Sequence, residues 1–119
     1  MALADNKPRV VEAPREMHVN IVLAAACEVG DMLAYDSGWK LAGASTATNV
    51  LVALESGAIG DTISASPVAV IKSFTGGTAG AVLSTAANGG YQSGTGYTIG
   101  FFVNATDAVV LPGTLPVSP

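Results

Sequence analysis

Beyond Val19 the chain alternates between short apolar runs and clusters of turn-forming residues. The runs are Asn20–Ala25, Met32–Tyr35, Trp39–Leu41, Val50–Leu54, Thr62–Ala65, Val68–Ser73, Ala81–Thr85, Tyr97–Val103 and Ala108–Leu111. Between them stand Gly30-Asp31, Asp36-Ser37-Gly38, Ser56-Gly57, Gly60-Asp61, Gly76-Gly77, Asn88-Gly89-Gly90, Gly94-Thr95-Gly96 and Pro112-Gly113. Runs of this length, bounded by residues that tolerate positive φ, are strands joined by tight turns. No window keeps apolar residues at i, i+3 and i+4 over a helix length, and 14 glycines oppose one. Ala42–Ala47 has room for one helical turn, which Gly43 weakens. The pattern predicts an all-β domain, a compact barrel or sandwich.

The runs repeat. Gly30-Asp31-Met32-Leu33-Ala34-Tyr35 followed by Asp36-Ser37-Gly38-Trp39 resembles Gly80-Ala81-Val82-Leu83-Ser84-Thr85 followed by Asn88-Gly89-Gly90-Tyr91. Each reads as glycine, strand, tight turn, aromatic, and a second apolar run follows: Val50–Leu54 in one half, Ile99–Val103 in the other. Ser-Gly and Asn-Gly supply the positive φ of a hairpin turn. An aromatic just past the turn covers the end of the strand pair. Two similar hairpin modules are therefore expected, with Trp39 and Tyr91 in equivalent places.

Residues 1–18 differ in kind from 19–119. They hold Pro8 and Pro14, no glycine and little periodicity. Proline keeps itself and the residue before it extended. The segment reads as an extended N-terminal arm or a frayed end, ahead of a single β domain over 19–119. Arg9-Val10-Val11 is able to form a short strand. On this reading the arm is separable, and the body folds without it.

Charge sharpens the contrast. Of 14 charged residues, 6 fall in the first 18 positions and 8 in the remaining 101. An average soluble domain is about one-quarter charged. A surface this neutral points to a body that contacts other protein. The net charge of −4 repels phosphate backbones and argues against nucleic-acid binding. The run Ile21–Cys27 is too short to span a bilayer. Asp5-Asn6-Lys7-Pro8 stands where a signal peptide has its apolar stretch, so a cytoplasmic origin is expected.

Catalytic chemistry finds little to work with. The single histidine, His18, is the only imidazole, and every Ser-His or Cys-His dyad would depend on it. One cysteine, Cys27, forms no internal disulfide and reads as a small buried hydrophobe. Metal-ligand spacing is absent, and no cofactor is expected. Gly76-Gly77-Thr78-Ala79-Gly80 lacks the lysine of a phosphate loop, and the glycines of 94–100 have the wrong spacing for a dinucleotide turn. The reading is a protein that is not an enzyme.

The second half carries a resemblance. Gly80-Ala81-Val82-Leu83-Ser84-Thr85, Gly89-Gly90-Tyr91 and the stretch from Tyr97 through Phe101-Phe102-Val103 to Leu111-Pro112-Gly113 resemble small tailed-bacteriophage head proteins of the decoration, or cement, type. The likeness covers roughly residues 28–113 and lies in turn and strand patterns. It implies a β-barrel or β-tulip body, a homotrimer bound to major capsid protein on the outer surface of the virion head, and an arm that grips the shell. The arm here is short and no distal receptor-binding domain is evident, which leaves open the base of a head fibre. Capsid-binding residues on this reading are Lys7, Pro8, Arg9, Val10, Val11 and Arg15. The strand at 9–11 would add to a sheet edge on a shell subunit. The alternative is a carbohydrate- or receptor-binding β-module of a head fibre or tail. An exposed aromatic cluster would favour it.

Overall fold

The computed structural model describes residues 4–5, 9–35, 37–43, 50–86, 89–93 and 98–111. Among them, in chain order, run β1 (Ala4–Asp5), β2 (Val11–Glu12), a 3-10 turn (Arg15–Met17), β3 (Val19–Val22), β4 (Met32–Tyr35), β5 (Trp39–Leu41), β6 (Val50–Ala53) and β7 (Thr62–Ser66). They continue with β8 (Ala69–Ile71), β9 (Phe74–Thr75), β10 (Val82–Thr85), β11 (Tyr91–Gln92), β12 (Thr98–Phe102) and β13 (Ala108–Val110). Every apolar run named above carries a strand. The two-residue strands β1, β9 and β11 were not expected. They are too short to show alternation, and only the ladder partner defines them. Ala42 hydrogen-bonds across to Met32 instead of starting a helix. The expected turns at Gly94–Gly96 and Pro112-Gly113, together with Asp36, Asn88 and Ala44–Ala47, lie outside the described residues.

Two antiparallel sheets make the body, a five-stranded one in the order β3-β7-β6-β4-β5 and a six-stranded one in the order β11-β10-β12-β13-β8-β2. A separate small pair joins β1 to β9. The five-stranded sheet curls until its edges meet. Past β3 the chain bridges β5 at Leu23 and Trp39, where the Ala24 N–H donates to the Trp39 carbonyl at 2.9 Å.

The two sheets are the expected modules. Strands β3 to β7 in one, and β8, β10, β11, β12 and β13 in the other, are laid down in the same spatial order. Their entry turns match. Asp31, Asp61 and Ala81 donate N–H to Glu28, Ala58 and Thr78 three residues back, at 3.0, 3.0 and 2.9 Å. Gly30, Gly60 and Gly80 take φ of +85°, +90° and +85° at the third position, the type II geometry that selects glycine. Registers match as well. Met32 faces Val52 and Val52 faces Ser66, as Val82 faces Phe101 and Phe101 faces Val109. Tyr35 faces Trp39 as Thr85 faces Tyr91, so the two aromatics are equivalent.

Packing uses the modules unequally. Ile21, Leu23, Cys27, Leu33, Ala53, Ile63 and Ala65 fill the inside of the five-stranded curl. The other face of that sheet, with Met32, Ala34, Val50 and Val52, packs on Ile71, Phe74, Leu83, Tyr91, Phe102 and Val110 of the second module. Strands β4 and β6 are therefore buried on both faces. This is why they read as unbroken apolar runs and not as alternation.

Candidate functional site

The segment expected to be a free arm is built into the body. β2 pairs with β8, Val11 opposite Ile71 and Glu12 opposite Val70, and so completes the six-stranded sheet. The Val10 N–H donates to Ser73 Oγ at 2.7 Å, and Lys72 N–H donates to the Val10 carbonyl at 2.8 Å. Outside the ladder, Lys72 Nζ and Glu12 Oε1 pair at 2.9 Å in solvent.

Arg9 is the centre of this attachment. Its side chain is 2% exposed and forms an ion pair with Asp31, itself 5% exposed. The guanidinium lies 5.3 Å from the ring centroid of Tyr91, in cation–π range. The Tyr91 hydroxyl donates to the Gly30 carbonyl at 2.7 Å. The second carboxylate oxygen of Asp31 accepts the Glu28 N–H at 2.8 Å. Arm, first module and second module thus converge on one buried cluster. The sequence marked Arg9 for shell binding and Asp31 as a turn residue, and no local signal joins two residues 22 positions apart.

The six residues proposed for shell binding are therefore split. Lys7 and Pro8 lie outside the described residues. Arg9 is buried and ion-paired, and Val11 is half-buried in a ladder with β8. Val10 is 56% exposed, and Arg15 is exposed on the 3-10 turn. The strand expected at 9–11 is found at Val11–Glu12, and it has spent one of its edges on this chain's own sheet.

Among the described residues catalytic groups do not converge. His18 ends the 3-10 turn in solvent, with Nε2 3.2 Å from the Ala13 carbonyl. Cys27 is buried, and its thiol lies 3.7 Å from the Glu55 carbonyl. Burial pushes the Cys27 pKa up, and the Asp31 carboxylate adds to the shift, so it is a poor nucleophile. Asp61 and Asp107 cap turns, accepting the Ala58 N–H and the Thr106 hydroxyl. Among the described residues no three of His, Cys, Asp and Glu gather as a metal site, and no helix is long and apolar enough to cross a membrane.

Two surface features remain. Tyr35 and Trp39 meet edge to face at a ring-centroid distance of 5.4 Å, with Tyr35 exposed and Trp39 half-exposed beside Lys40. The second feature is the outer face of the six-stranded sheet. Val82, Phe101, Val109 and Val70 stand opposite one another across four strands. Their neighbours Ala69, Ile71, Phe102, Ala108 and Val110 point into the core. Val82 and Phe101 are 40% and 41% exposed. Val103 and Leu111, two residues beyond Phe101 and Val109, are exposed too. A solvated sheet face is normally polar. The runs Phe101-Phe102-Val103 and Val109-Val110-Leu111 carried this signal, since they are apolar on both faces. The chain matches no protein-family model, and neither curated proteins nor solved structures yield a significant match to it.

Proposed function

We propose that the chain is a structural, non-enzymatic virion protein that decorates the outside of a tailed-phage head. In this reading it binds major capsid protein as a homo-oligomer, a trimer by the resemblance, and stabilises the mature shell. The apolar outer face of the six-stranded sheet carries the reading, because an exposed apolar sheet face marks a surface that works against protein. The sparse charge of the body supports it further. A protein that binds only the mature lattice stabilises that lattice by mass action, and linked copies add avidity. Exposed Val10 and Arg15 remain available to the shell. Arg9 and Val11 serve instead by holding the segment that presents them. The test is incubation with empty heads of the cognate phage, followed by mass measurement and heating of the particles. Bound protein and a raised shell-disruption temperature are expected. Heads that recover no protein at saturating concentration would sink the assignment.

The Tyr35–Trp39 pair supports a second reading, a carbohydrate-binding module. An exposed ring set edge to face against a half-exposed one offers a stacking platform for sugars. Titration with host-surface glycans while following Trp39 fluorescence decides it. A spectrum unchanged at millimolar sugar removes this alternative.

A further inference from the structure

We infer that the slot holding Arg9 takes the N-terminal segment of a second copy of this chain as well as the chain's own. The slot is a built site for an extended segment that carries an arginine. The buried Asp31 pairs with the guanidinium, and the Tyr91 ring centroid lies 5.3 Å from it. Ser73 Oγ accepts the Val10 N–H and the Lys72 N–H donates to the Val10 carbonyl, so both backbone groups of Val10 are held. Strand pairing continues on each side, Val11–Glu12 on β8 and Ala4–Asp5 on β9. The groups that grip the segment thus belong to residues 31, 70–75 and 91. They make the same contacts whichever copy supplies it, which is the condition for exchange of an element between protomers.

The link between segment and body is a hinge. Residues 14–20 are exposed throughout, and the 3-10 turn at Arg15–Met17 buries no residue. The Met17 N–H donates to the Pro14 carbonyl and the His18 N–H to the Arg15 carbonyl, and His18 Nε2 lies 3.2 Å from the Ala13 carbonyl. On both sides of the turn the chain is already extended, with φ and ψ of −59° and 132° at Pro14 and −69° and 134° at His18. Unwinding this one turn redirects the segment and breaks no buried contact of the body, as a hinge of a few residues does. A segment that leaves takes the cation from Asp31, and a buried carboxylate without its partner is costly. An empty slot is therefore short-lived and refills with the nearest matching segment. In an isolated chain that is its own. Where copies stand together at about millimolar local concentration, a neighbour's segment competes on equal contacts. A reciprocal pair and a closed ring both leave every slot filled. The inference goes beyond the virion assignment and needs only copies held side by side.

Two full-length variants test it, Glu12→Cys and Val70→Cys. Residues 12 and 70 stand directly opposite each other across the β2–β8 ladder, so a disulfide between unlike chains reports a segment seated in another copy's slot. The variants are mixed at about 1 mM, warmed to open the segments, cooled and oxidised, and the linked species are mapped. Links between unlike chains should exceed links between like chains by roughly tenfold. The free peptide of residues 1–13, added in excess during warming, should compete that surplus away. Like and unlike links in the statistical ratio overturn the inference, and so does a surplus that the peptide leaves untouched. Should either variant fail to fold, wild-type chains give the same reading when half of them are isotope-labelled. An inter-chain magnetic contact between the Val11 and Ile71 methyl groups is expected, and its absence at about 1 mM overturns exchange. Binding to heads is measured separately, and its absence counts against the virion assignment alone.

Discussion

At Gly30 two constraints meet: a φ of +85° and a Cβ position 2.7 Å from the buried stem of Arg9. Gly60 has the same turn geometry, φ +90°, but nothing within 4 Å of its Cβ position. Gly60→Ala should therefore cost only the left-handed backbone, about 1–2 kcal/mol. Gly30→Ala adds overpacking and should cost about 2–5 kcal/mol. Urea unfolding of the pair checks this, and equal losses would show that Arg9 yields freely. Cys27 gives a pH prediction. Its folded pKa is raised, first by burial and then by Asp31, so the thiol favours the folded state. That contribution is whole below the ordinary thiol value of about 8.5 and is lost as pH rises through the raised folded value. The melting temperature of the wild type should fall above about pH 9, and that of Cys27→Ala should fall less.

At the scale of elements, the N-terminal segment is the point where expectation and structure part. Prolines and clustered charge made residues 1–18 look separable, but β2 is an edge strand of the main sheet and Arg9 neutralises a buried carboxylate. Breaking such a pair from one side leaves a charge buried without its partner, at about 3–5 kcal/mol. Domains of this size hold only about 5–15 kcal/mol in total. Deleting residues 1–12 should therefore lower the urea midpoint sharply, and Arg9→Met should reproduce most of the loss. A deletion variant as stable as the full chain would mean that the segment merely rests on the body. The strands behaved differently. Their positions were legible because each is a short apolar run closed by residues that select a turn type. Their ends were less so: the run at Asn20–Ala25 yields a strand only to Val22, since Leu23 bonds to the Gly60-Asp61 turn ahead of β7 and bridges Trp39 on its other side.

For the whole molecule, the first module buries Met32, Ala34, Val50 and Val52 only against the second. The first module has a core inside its curl, but its outer row and the whole core of the second module are one shared cluster, so they should not fold apart. Fragments 1–67 and 68–119, expressed separately, should lack a cooperative thermal transition and regain β structure when mixed. A fragment that melts cooperatively alone would show that the duplication left two independent domains. The joint cluster of Arg9, Asp31 and Tyr91 acts at this same scale, since each residue comes from a different part of the chain.

The amino-acid sequence by itself determined the all-β class, nine of the strands, the glycine turns at Gly30, Gly38, Gly60 and Gly76, and the pairing of Trp39 with Tyr91 as counterparts. These are local matters: a strand's period, a turn's positive φ and a repeated motif are each written within about ten residues. Tertiary structure alone decided that Arg9 is internal, that β2 closes a sheet, and that equivalent rows meet different fates. Val52 is sealed in the core, while Phe101, its counterpart, stands at the surface. Both are apolar residues at the same register of the same motif. Burial depends on which sheet another sheet covers, and that is set by packing between segments far apart along the chain.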